Sequence, residues 1–563
     1  MASIILSENL LKINVGIKYV ISNMKRALLI LYWTCCIFNY SYSQTGPPIQ
    51  WQNTIGGSTY DFLFSLKQTQ DNGFILSGSS SSDISGDKTE NSNGWDDYWI
   101  LKIDSIGTVQ WQNSIGGNED DYLFSMDNVN DGGYILGGYS YSDSSGDKTE
   151  YPWAMFTPDY WIVKIDSIGN IQWENTIGGT LVDQFNSISQ TSDNGFILGG
   201  WSNSGISGDK TENSNGNYDF WIVKIDSIGN IQWQNTIGGS AAEDLRTIEQ
   251  TIDGGYIIGG TSISGISGDK TEGSLGYEDY WIVKIDSIGN IQWENTIGGS
   301  YPDLLYVVRQ TVDGGYIVGG ASQSGISGDK TENSMGIFDY WVVKTDSVGN
   351  IEWQQTIGGS NSDYLYNVLQ TTDGGYILAG SSMSNITGDK TENSWGAFDY
   401  WIMKIDSVGN ILWQNTIGGN EYDVLNIVEQ LADGSFILGG YSKSTISGDK
   451  TEDCLGNEDY WIVKLGPDPT GKPENNFSNS SLHIFPNPSD GNIQLDFNAS
   501  GNDHYSVEIL NILGEEVYNV ALSLSGKVSV PLDLTFLPNG IYLVKISDGK
   551  SVVNRLIVIE YSR

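Results

Sequence analysis

Histidine is nearly absent from this sequence. Only two of the 563 residues are histidine, His483 and His504, and both lie near the C-terminus. Residues 1–482 therefore lack the side chain most used for proton transfer near neutral pH and for binding zinc or copper. This absence excludes a Ser-His-Asp triad and a histidine-ligated metal from most of the chain.

Cysteine and basic residues are also scarce. Two of the three cysteines, Cys35 and Cys36, fall in a predicted leader, which leaves Cys454 without a disulfide partner. The 28 Lys and Arg residues stand against 69 Asp and Glu residues, for a net charge of −41. A field of this sign repels phosphate backbones, so we expect no nucleic-acid partner.

Long hydrophobic runs are missing as well. The apolar stretch from Ala27 to Phe38 is well short of the roughly 20 residues that a membrane span needs. Met24-Lys25-Arg26 precede it and the small-x-small triplet Ser41-Tyr42-Ser43 follows. This order predicts that residues 1–43 are a signal peptide cleaved between Ser43 and Gln44, with the true start of translation at Met24.

Glycine and tryptophan, in contrast, are abundant, and they mark internal repeats. The 70 glycines and 19 tryptophans recur in register, and one tryptophan series is spaced by 60 or 62 residues: Trp51, Trp111, Trp173, Trp233, Trp293, Trp353 and Trp413. Each repeat contains four short segments that are rich in Ile, Val, Tyr and Trp and bounded by Gly, Asn or Asp. In the fourth repeat these predicted strands are Leu245 to Thr251, Gly255 to Gly260, Asp279 to Asp286, and Asn290 to Thr296.

The phase of the chain favours a closed ring over an open solenoid. The first repeat begins at its fourth strand, Ile49 to Ile55, and the last repeat ends after its third strand, Asp459 to Leu465. Pairing these two strands removes both exposed edges, whereas a solenoid needs atypical capping repeats. We therefore predict that residues 44–466 form an all-β, seven-bladed β-propeller of four-stranded blades, closed by the N-terminal strand. The doubled glycines followed by a Tyr-Trp pair also resemble kelch-type blades.

Each repeat has a long insertion between its second and third strands. We predict that the face carrying these insertions is the functional face, because long loops are uncommon unless they are functional. Each insertion contains Gly-Asp-Lys-Thr-Glu. Its oxygen-bearing side chains suit calcium, although caps on backbone N–H groups and a Lys-carboxylate pair explain the same motif structurally. The seven copies favour the structural explanation, so we expect no cofactor, with calcium as the alternative. Its candidate ligands would be Asp87, Asp147, Asp209, Asp269, Asp329, Asp389 and Asp449.

The insertion tips differ from repeat to repeat and carry large apolar side chains. Such side chains on one rim supply contact area for a partner, although they also tuck inward to cover their own loops. The predicted ligand-binding residues are Trp95, Trp153, Phe156, Tyr277, Phe338, Trp395 and Phe398.

Acidic residues leave a hydrolase or lyase open as an alternative, since a glycosidase needs only two carboxylates. Most acids here, however, repeat in every blade, and catalysis normally breaks such symmetry. The acids beside the Tyr-Trp or Phe-Trp pair show this repetition: Asp97, Asp159, Asp219, Asp279, Asp339, Asp399 and Asp459. We predict no catalytic residue.

After the repeats the sequence changes character. Residues 467–481 are rich in Pro, Gly, Asn and Ser and predict a linker, and residues 482–563 predict a small Ig-like β-sandwich. Its predicted strands are Ile493 to Phe497, Ser506 to Asn511, Val528 to Leu532 and Ile541 to Ser547, with a final strand around Val552 to Glu560. That last segment contains Ile484-Phe485-Pro486-Asn487-Pro488, Leu513-Gly514-Glu515-Glu516-Val517 and Leu537-Pro538-Asn539-Gly540-Ile541-Tyr542-Leu543-Val544-Lys545.

These motifs resemble the type A C-terminal sorting domain of type IX secretion cargo, and the repeats resemble the DGGYILGG-type propellers common on such cargo. The resemblance implies a bacterium of the Bacteroidota group, the type IX machinery as a partner, and an outer-membrane-surface or extracellular location. The residues that carry the sorting signal would be Pro486, Asn487, Pro488, Gly514, Pro538, Gly540 and Tyr542.

Together these features predict an exported, monomeric binding module that recognises a glycan or a protein with its long-loop face. A carboxylate-dependent polysaccharide hydrolase or lyase, and a purely structural surface protein, remain as alternatives.

Overall fold

The computed structural model describes residues 44–470, 483–487, 489–511, 516–547 and 552–561. These residues are all-β, and no helix among them is long and apolar enough to cross a membrane. The predicted signal peptide, residues 471–481 of the predicted linker, Pro488 and Gly514 lie outside the described residues.

The strands of the repeat region are short and evenly spaced. In chain order they are β1 (Gln44–Thr45), β2 (Ile49–Ile55), β3 (Asp61–Gln68), β4 (Phe74–Ser80), β5 (Asp97–Ile103), β6 (Val109–Ile115), β7 (Asp121–Asn128), β8 (Tyr134–Ser140), β9 (Asp159–Ile165), β10 (Ile171–Ile177), β11 (Asp183–Gln190), β12 (Phe196–Ser202), β13 (Asp219–Ile225), β14 (Ile231–Ile237), β15 (Glu243–Gln250), β16 (Tyr256–Ser262), β17 (Asp279–Ile285), β18 (Ile291–Ile297), β19 (Asp303–Gln310), β20 (Tyr316–Ser322), β21 (Asp339–Thr345), β22 (Ile351–Ile357), β23 (Asp363–Gln370), β24 (Tyr376–Ser382), β25 (Asp399–Ile405), β26 (Ile411–Ile417), β27 (Asp423–Gln430), β28 (Phe436–Ser442) and β29 (Asp459–Leu465).

Each repeat of the sequence forms one four-stranded antiparallel sheet. The first sheet has the order β3-β4-β5-β6, and the pattern continues to β23-β24-β25-β26, where the two-residue strand β1 adds in parallel to β26. The last sheet takes its fourth strand from the N-terminus, since β2 pairs antiparallel with β29 in the order β2-β29-β28-β27. The pairing expected from the phase of the repeats is therefore present.

Local chemistry turns the chain between strands. In the fourth repeat Gly254 has a φ of 83°, which an L side chain rarely adopts, and Asp253 Oδ1 accepts a hydrogen bond from the Gly255 N–H at 3.0 Å. The two middle strands are buried along almost their whole length, as in β16 and β17, because sheets cover them on both faces.

A recurrent hydrogen bond ties neighbouring sheets together at six of the seven junctions, the exception being the third sheet, where Phe220 replaces the tyrosine. The Tyr98 hydroxyl donates to the carbonyl of Trp161 at 2.9 Å, with the two rings 4.8 Å apart. The last sheet reaches the first in the same way, since the Tyr460 hydroxyl donates to the carbonyl of Trp99 at 3.0 Å. Residues of both sheets, including Leu63 and Ile437, share one buried apolar cluster.

The C-terminal described residues form a separate antiparallel sheet with its own apolar core. Two segments expected as separate strands, 493–497 and 506–511, lie mostly within one 19-residue strand, because its hairpin with the following strand continues across both. The strands are β30 (His483–Phe485), β31 (Asn492–Leu510), β32 (Glu516–Asp533), β33 (Gly540–Ser547) and β34 (Val552–Ile559).

Candidate functional site

The Gly-Asp-Lys-Thr-Glu motif holds its own loop in place. In the second repeat Asp147 Oδ2 accepts from the Gly116 N–H at 3.2 Å, and Glu150 Oε2 accepts from the Thr176 N–H at 2.7 Å. The Asp-to-glycine bond recurs in every repeat: Asp87 with Gly56, Asp209 with Gly178, Asp269 with Gly238, Asp329 with Gly298, Asp389 with Gly358 and Asp449 with Gly418.

The lysine of the motif is buried over an aromatic face. Lys330 Nζ lies 4.8 Å from the Trp341 ring centroid and donates to Thr356 Oγ1 at 2.7 Å. Burial lowers the pKa of Lys330 to about 8. Across the part of the chain that the structure describes, no three His, Cys, Asp or Glu side chains are grouped so that they could hold a metal ion.

The repeated acid before the Tyr-Trp pair also closes a loop. Asp159 Oδ2 accepts from the Trp153 N–H at 2.8 Å, and burial raises the pKa of Asp159 to about 8. The other carboxylate oxygen, Asp159 Oδ1, packs against Gly178, where an added Cβ would lie only 2.0 Å from it. These acids stabilise the loop tips in every repeat.

Two of the predicted ligand residues cover the neighbouring repeat. The Trp153 indole donates to Asp209 Oδ2 at 2.8 Å, and the Trp395 indole donates to Asp449 Oδ2 at 3.1 Å. Three others are solvent-exposed, with exposed fractions of 70% for Trp95, 83% for Phe156 and 67% for Tyr277. Trp153 and Trp395 are themselves 49% and 60% exposed.

Phe338 and Phe398, the remaining two, contact an aromatic surface that the sequence analysis missed. Both rings lie against Tyr364, at centroid distances of 5.3 Å and 5.8 Å. Tyr364 in turn stacks on Tyr366 at 6.2 Å, and Phe398 lies 6.1 Å from Tyr422. Loop tips and a strand thus meet in one patch.

Tyr364 and Tyr366 belong to what we call the first-strand surface, formed by the second and fourth side chains of the first strand of each sheet. Neighbouring first strands lie side by side, and β27 lies beside β3. The first and third side chains of these strands enter the core, whereas the second and fourth are half-buried or exposed. The surface comprises Phe62, Phe64, Tyr122, Phe124, Gln184, Asn186, Asp244, Arg246, Leu304, Tyr306, Tyr364, Tyr366, Val424 and Asn426.

A second run of aromatic contacts joins the first two sheets on this surface. Phe64 lies 5.0 Å from Phe124, which lies 5.3 Å from Tyr139, and Tyr139 lies 5.4 Å from Tyr122. Tyr139 comes from the second strand of its sheet, directly opposite Tyr122. Aromatic side chains from several strands therefore converge here.

Carboxylates accompany these rings. Burial and the neighbouring Asp120 raise the pKa of Asp96, while Asp244 is paired with Arg246, at an Oδ2 to Nη2 distance of 2.5 Å. Burial also raises the pKa of Tyr306 to about 12, so its hydroxyl stays protonated at neutral pH. The surface offers aromatic faces, hydroxyl donors and carboxylate acceptors together.

The signal for this surface was present in the repeats themselves. The second position of the first strand reads Phe, Tyr, Gln, Asp, Leu, Tyr and Val from repeat to repeat, whereas the tryptophan of the third strand never changes. The positions at which the repeats differ thus mark the first-strand surface in the sequence.

In the C-terminal sheet, several residues of the predicted sorting signal join strands. Asn487 Oδ1 accepts from the Val558 N–H at 2.8 Å, and the Tyr542 hydroxyl donates to the Pro538 carbonyl at 2.9 Å. Gly540 is the first residue of β33, and Pro486 is exposed just after β30.

Residues 483–560 match the family described as the secretion system C-terminal sorting domain. The chain therefore carries a sorting domain of type IX secretion. Such a domain implies contact with the secretion machinery and export to the cell surface or the extracellular space.

The chain also resembles several known proteins at low sequence identity. A stretch of 218 residues is 22% identical to the regulatory protein FlaEY of Caulobacter vibrioides, covering 38% of this chain and 22% of that protein. Among solved structures, BBS1N in complex with ARL6DN gives a TM-score of 0.41 at 8% identity, over 76% of this chain and 99% of that one. Puromycin hydrolase gives 0.41 at 10% identity, over 82% of this chain and 62% of that one. Similarities of this size transfer no function.

Proposed function

We propose that the chain is an exported binding module that recognises a glycan on the first-strand surface. The observation that carries the proposal is the convergence of Tyr364, Phe338 and Phe398 from a first strand and two loop tips. Aromatic faces pack against the apolar faces of sugar rings, and nearby carboxylates and hydroxyls satisfy sugar hydroxyl groups.

The proposed architecture places this surface in a central channel. The sheets are taken as seven blades of a closed propeller, with β2 completing the last blade. Two features support the closure: β2 pairs with β29, and Asn426 Nδ2 donates to the Leu63 carbonyl at 2.7 Å. The same bond joins the third and fourth sheets, where Asn186 Nδ2 donates to the Leu245 carbonyl at 2.6 Å.

The proposed domain organisation follows the sequence. It consists of a signal peptide over 1–43, a monomeric propeller of DGGYILGG-type, kelch-like repeats over 44–466, a linker over 467–481 and an Ig-like sorting domain over 482–563, in a chain of Bacteroidota origin. The sorting domain supports the export step of this proposal.

A carboxylate-dependent polysaccharide hydrolase or lyase is the second candidate function. Asp244 supports it because this acid occupies a position where the other repeats have no carboxylate, and burial raises its pKa. A single experiment that measures both binding and cleavage distinguishes the two functions.

The test is to present the exported protein to an array of polysaccharides and oligosaccharides and to assay the same polymers for cleavage. Saturable binding without cleavage is the expected result. Cleavage would establish the hydrolase or lyase in its place. Binding to no glycan would overturn the proposal and leave a protein ligand or a purely structural role.

A further inference from the structure

Arg246 is the exception on the first-strand surface. At the second and fourth positions of the first strands, every other side chain is half-buried, whereas Arg246 is exposed. The surrounding repeats have Asn186 and Tyr306 at the equivalent position.

The guanidinium of Arg246 is held on two sides. Its Nη2 contacts Asp244 Oδ2 at 2.5 Å, and its central carbon lies 5.9 Å from the Tyr306 ring centroid. A guanidinium has five N–H donors in a rigid fork, more than this single carboxylate accepts. Arg246 is therefore oriented in advance, with donors left for a ligand.

The charge around Arg246 is unfavourable for an anionic ligand. Asp244 lies beside it, and burial raises the pKa of Asp244, which the neighbouring Arg246 lowers and the negative charge of the exposed Glu278 raises. Two negative carboxylates, those of Asp244 and Glu278, thus lie near the one positive guanidinium of Arg246. An uncharged polyol suits this balance, because it accepts from the guanidinium and donates to the carboxylate without adding charge.

We propose that Arg246 and Asp244 form a subsite for a neutral sugar ring. Arg246 donates a hydrogen bond to the oxygen of one hydroxyl while Asp244 accepts a hydrogen bond from the adjacent hydroxyl, and the Tyr306 ring lies beside the guanidinium, 5.9 Å from its central carbon. This subsite rests on the proposed glycan-binding function and specifies its ligand class, since acidic sugars are disfavoured.

The experiment compares three variants of the full exported chain, Arg246→Ala, Arg246→Lys and Arg309→Ala. Arg309 is a matched control, because it also lies on a first strand but near the opposite end of that strand. The probes are neutral glucan, mannan, galactan and xylan oligosaccharides, oligogalacturonate and chitosan oligomers. Thermal melting first checks that each variant is folded.

We expect neutral oligosaccharides to bind and Arg246→Ala to weaken their binding by about 10- to 100-fold. Arg246→Lys should lose most of the affinity as well, since a lysine offers a point charge in place of the fork. Arg309→Ala should stay within about twofold of the unaltered protein. Should Arg246→Ala fail to fold, Arg246→Lys carries the comparison.

Three results would overturn the inference in distinguishable ways. Equal effects of the Arg246 and Arg309 variants would remove the subsite and leave the glycan-binding function in place. Tighter binding of oligogalacturonate or chitosan than of neutral sugars would refute the ligand class alone. Binding of no oligosaccharide at all would refute the proposed function, and the subsite with it.

Discussion

The indole of Trp395 donates a hydrogen bond to Asp449 Oδ2 in the next repeat, at 3.1 Å. The same indole packs on Gly448, where a Cβ would meet Trp395 Cγ at 2.9 Å. A predicted ligand residue thus anchors a predicted calcium ligand, and both contribute to the contact between sheets.

Replacing Trp395 is expected to reduce stability without altering ligand binding. Trp395→Ala removes the indole contact and its hydrogen bond, and should lower the free energy of unfolding by about 1 to 2 kcal/mol. Trp95→Ala is the matched control, because its exposure of 70% is close to the 60% of Trp395, whereas Asn93 makes the equivalent contact with the next repeat, to Asp147. It should change stability by less than about 0.5 kcal/mol. Urea denaturation of both variants measures the difference, and equal effects would contradict the anchoring role.

Calcium removal is expected to leave the fold unchanged. The motif aspartates already accept backbone N–H groups, as Asp147 does from Gly116, so no cation is needed to neutralise an open site. Thermal melting in excess calcium and in chelator should give the same midpoint. A midpoint several degrees higher in calcium would show that the motif binds the ion.

Stability is expected to fall as the pH rises from about 4 to about 8. Burial raises the pKa of Asp159 to about 8 and that of Asp399 to about 7, from 3.8, so the folded state holds protons that the unfolded state has released. The stabilisation is full below pH 3.8 and is lost as the pH rises through these folded values. Urea denaturation at pH 4.5, 6 and 8 should show a loss of about 2 kcal/mol or more.

A variant of Asp399 and measurements below pH 4 test whether this pH dependence comes from the buried aspartates. Asp399→Asn mimics the protonated carboxyl and should reduce the slope by the share of this one aspartate, whereas an unchanged slope would place its origin elsewhere. Below pH 4 the direction reverses, since hydrogen bonds from Thr69 and Lys102 lower the pKa of Asp71 to about 2, and that stabilisation is lost on acidification.

Removal of residues 482–563 is expected to abolish export. The family match lies within this segment, at residues 483–560. A chain ending at residue 481 should remain in the cell envelope while the full chain, expressed in parallel, reaches the surface or the medium. Immunoblotting of cell fractions provides the readout, and normal export of the shortened chain would contradict the sorting role.

Much of the fold was predictable because its determinants are local. The bounds expected for β2 and β29 agree with the structure, since Gly, Asp and Pro flank a regular run of β-forming residues. In contrast, the long strand β31 was expected as two pieces, because polar residues near Asn502 resemble a turn.

The candidate site was less predictable because it depends on packing between sheets. The position of Trp395 at an insertion tip predicted a ligand residue, yet its hydrogen-bond partner Asp449 is 54 residues away in sequence. Tyr364 lies on an ordinary-looking strand, and its importance follows from the rings that meet it from two loop tips. The pattern of side chains within one repeat does not predict which rings from neighbouring loops contact Tyr364.

The most direct test of glycan recognition on the first-strand surface is a binding titration with a glycan identified on the array. The variant Tyr364→Ala/Phe398→Ala removes the aromatic patch, and Trp95→Ala/Tyr277→Ala removes two exposed rim residues as a matched control. The account predicts a loss of affinity of at least about tenfold for the first pair and less than about twofold for the second. Affinity retained by the first pair and lost by the second would contradict it and return the binding site to the exposed rim.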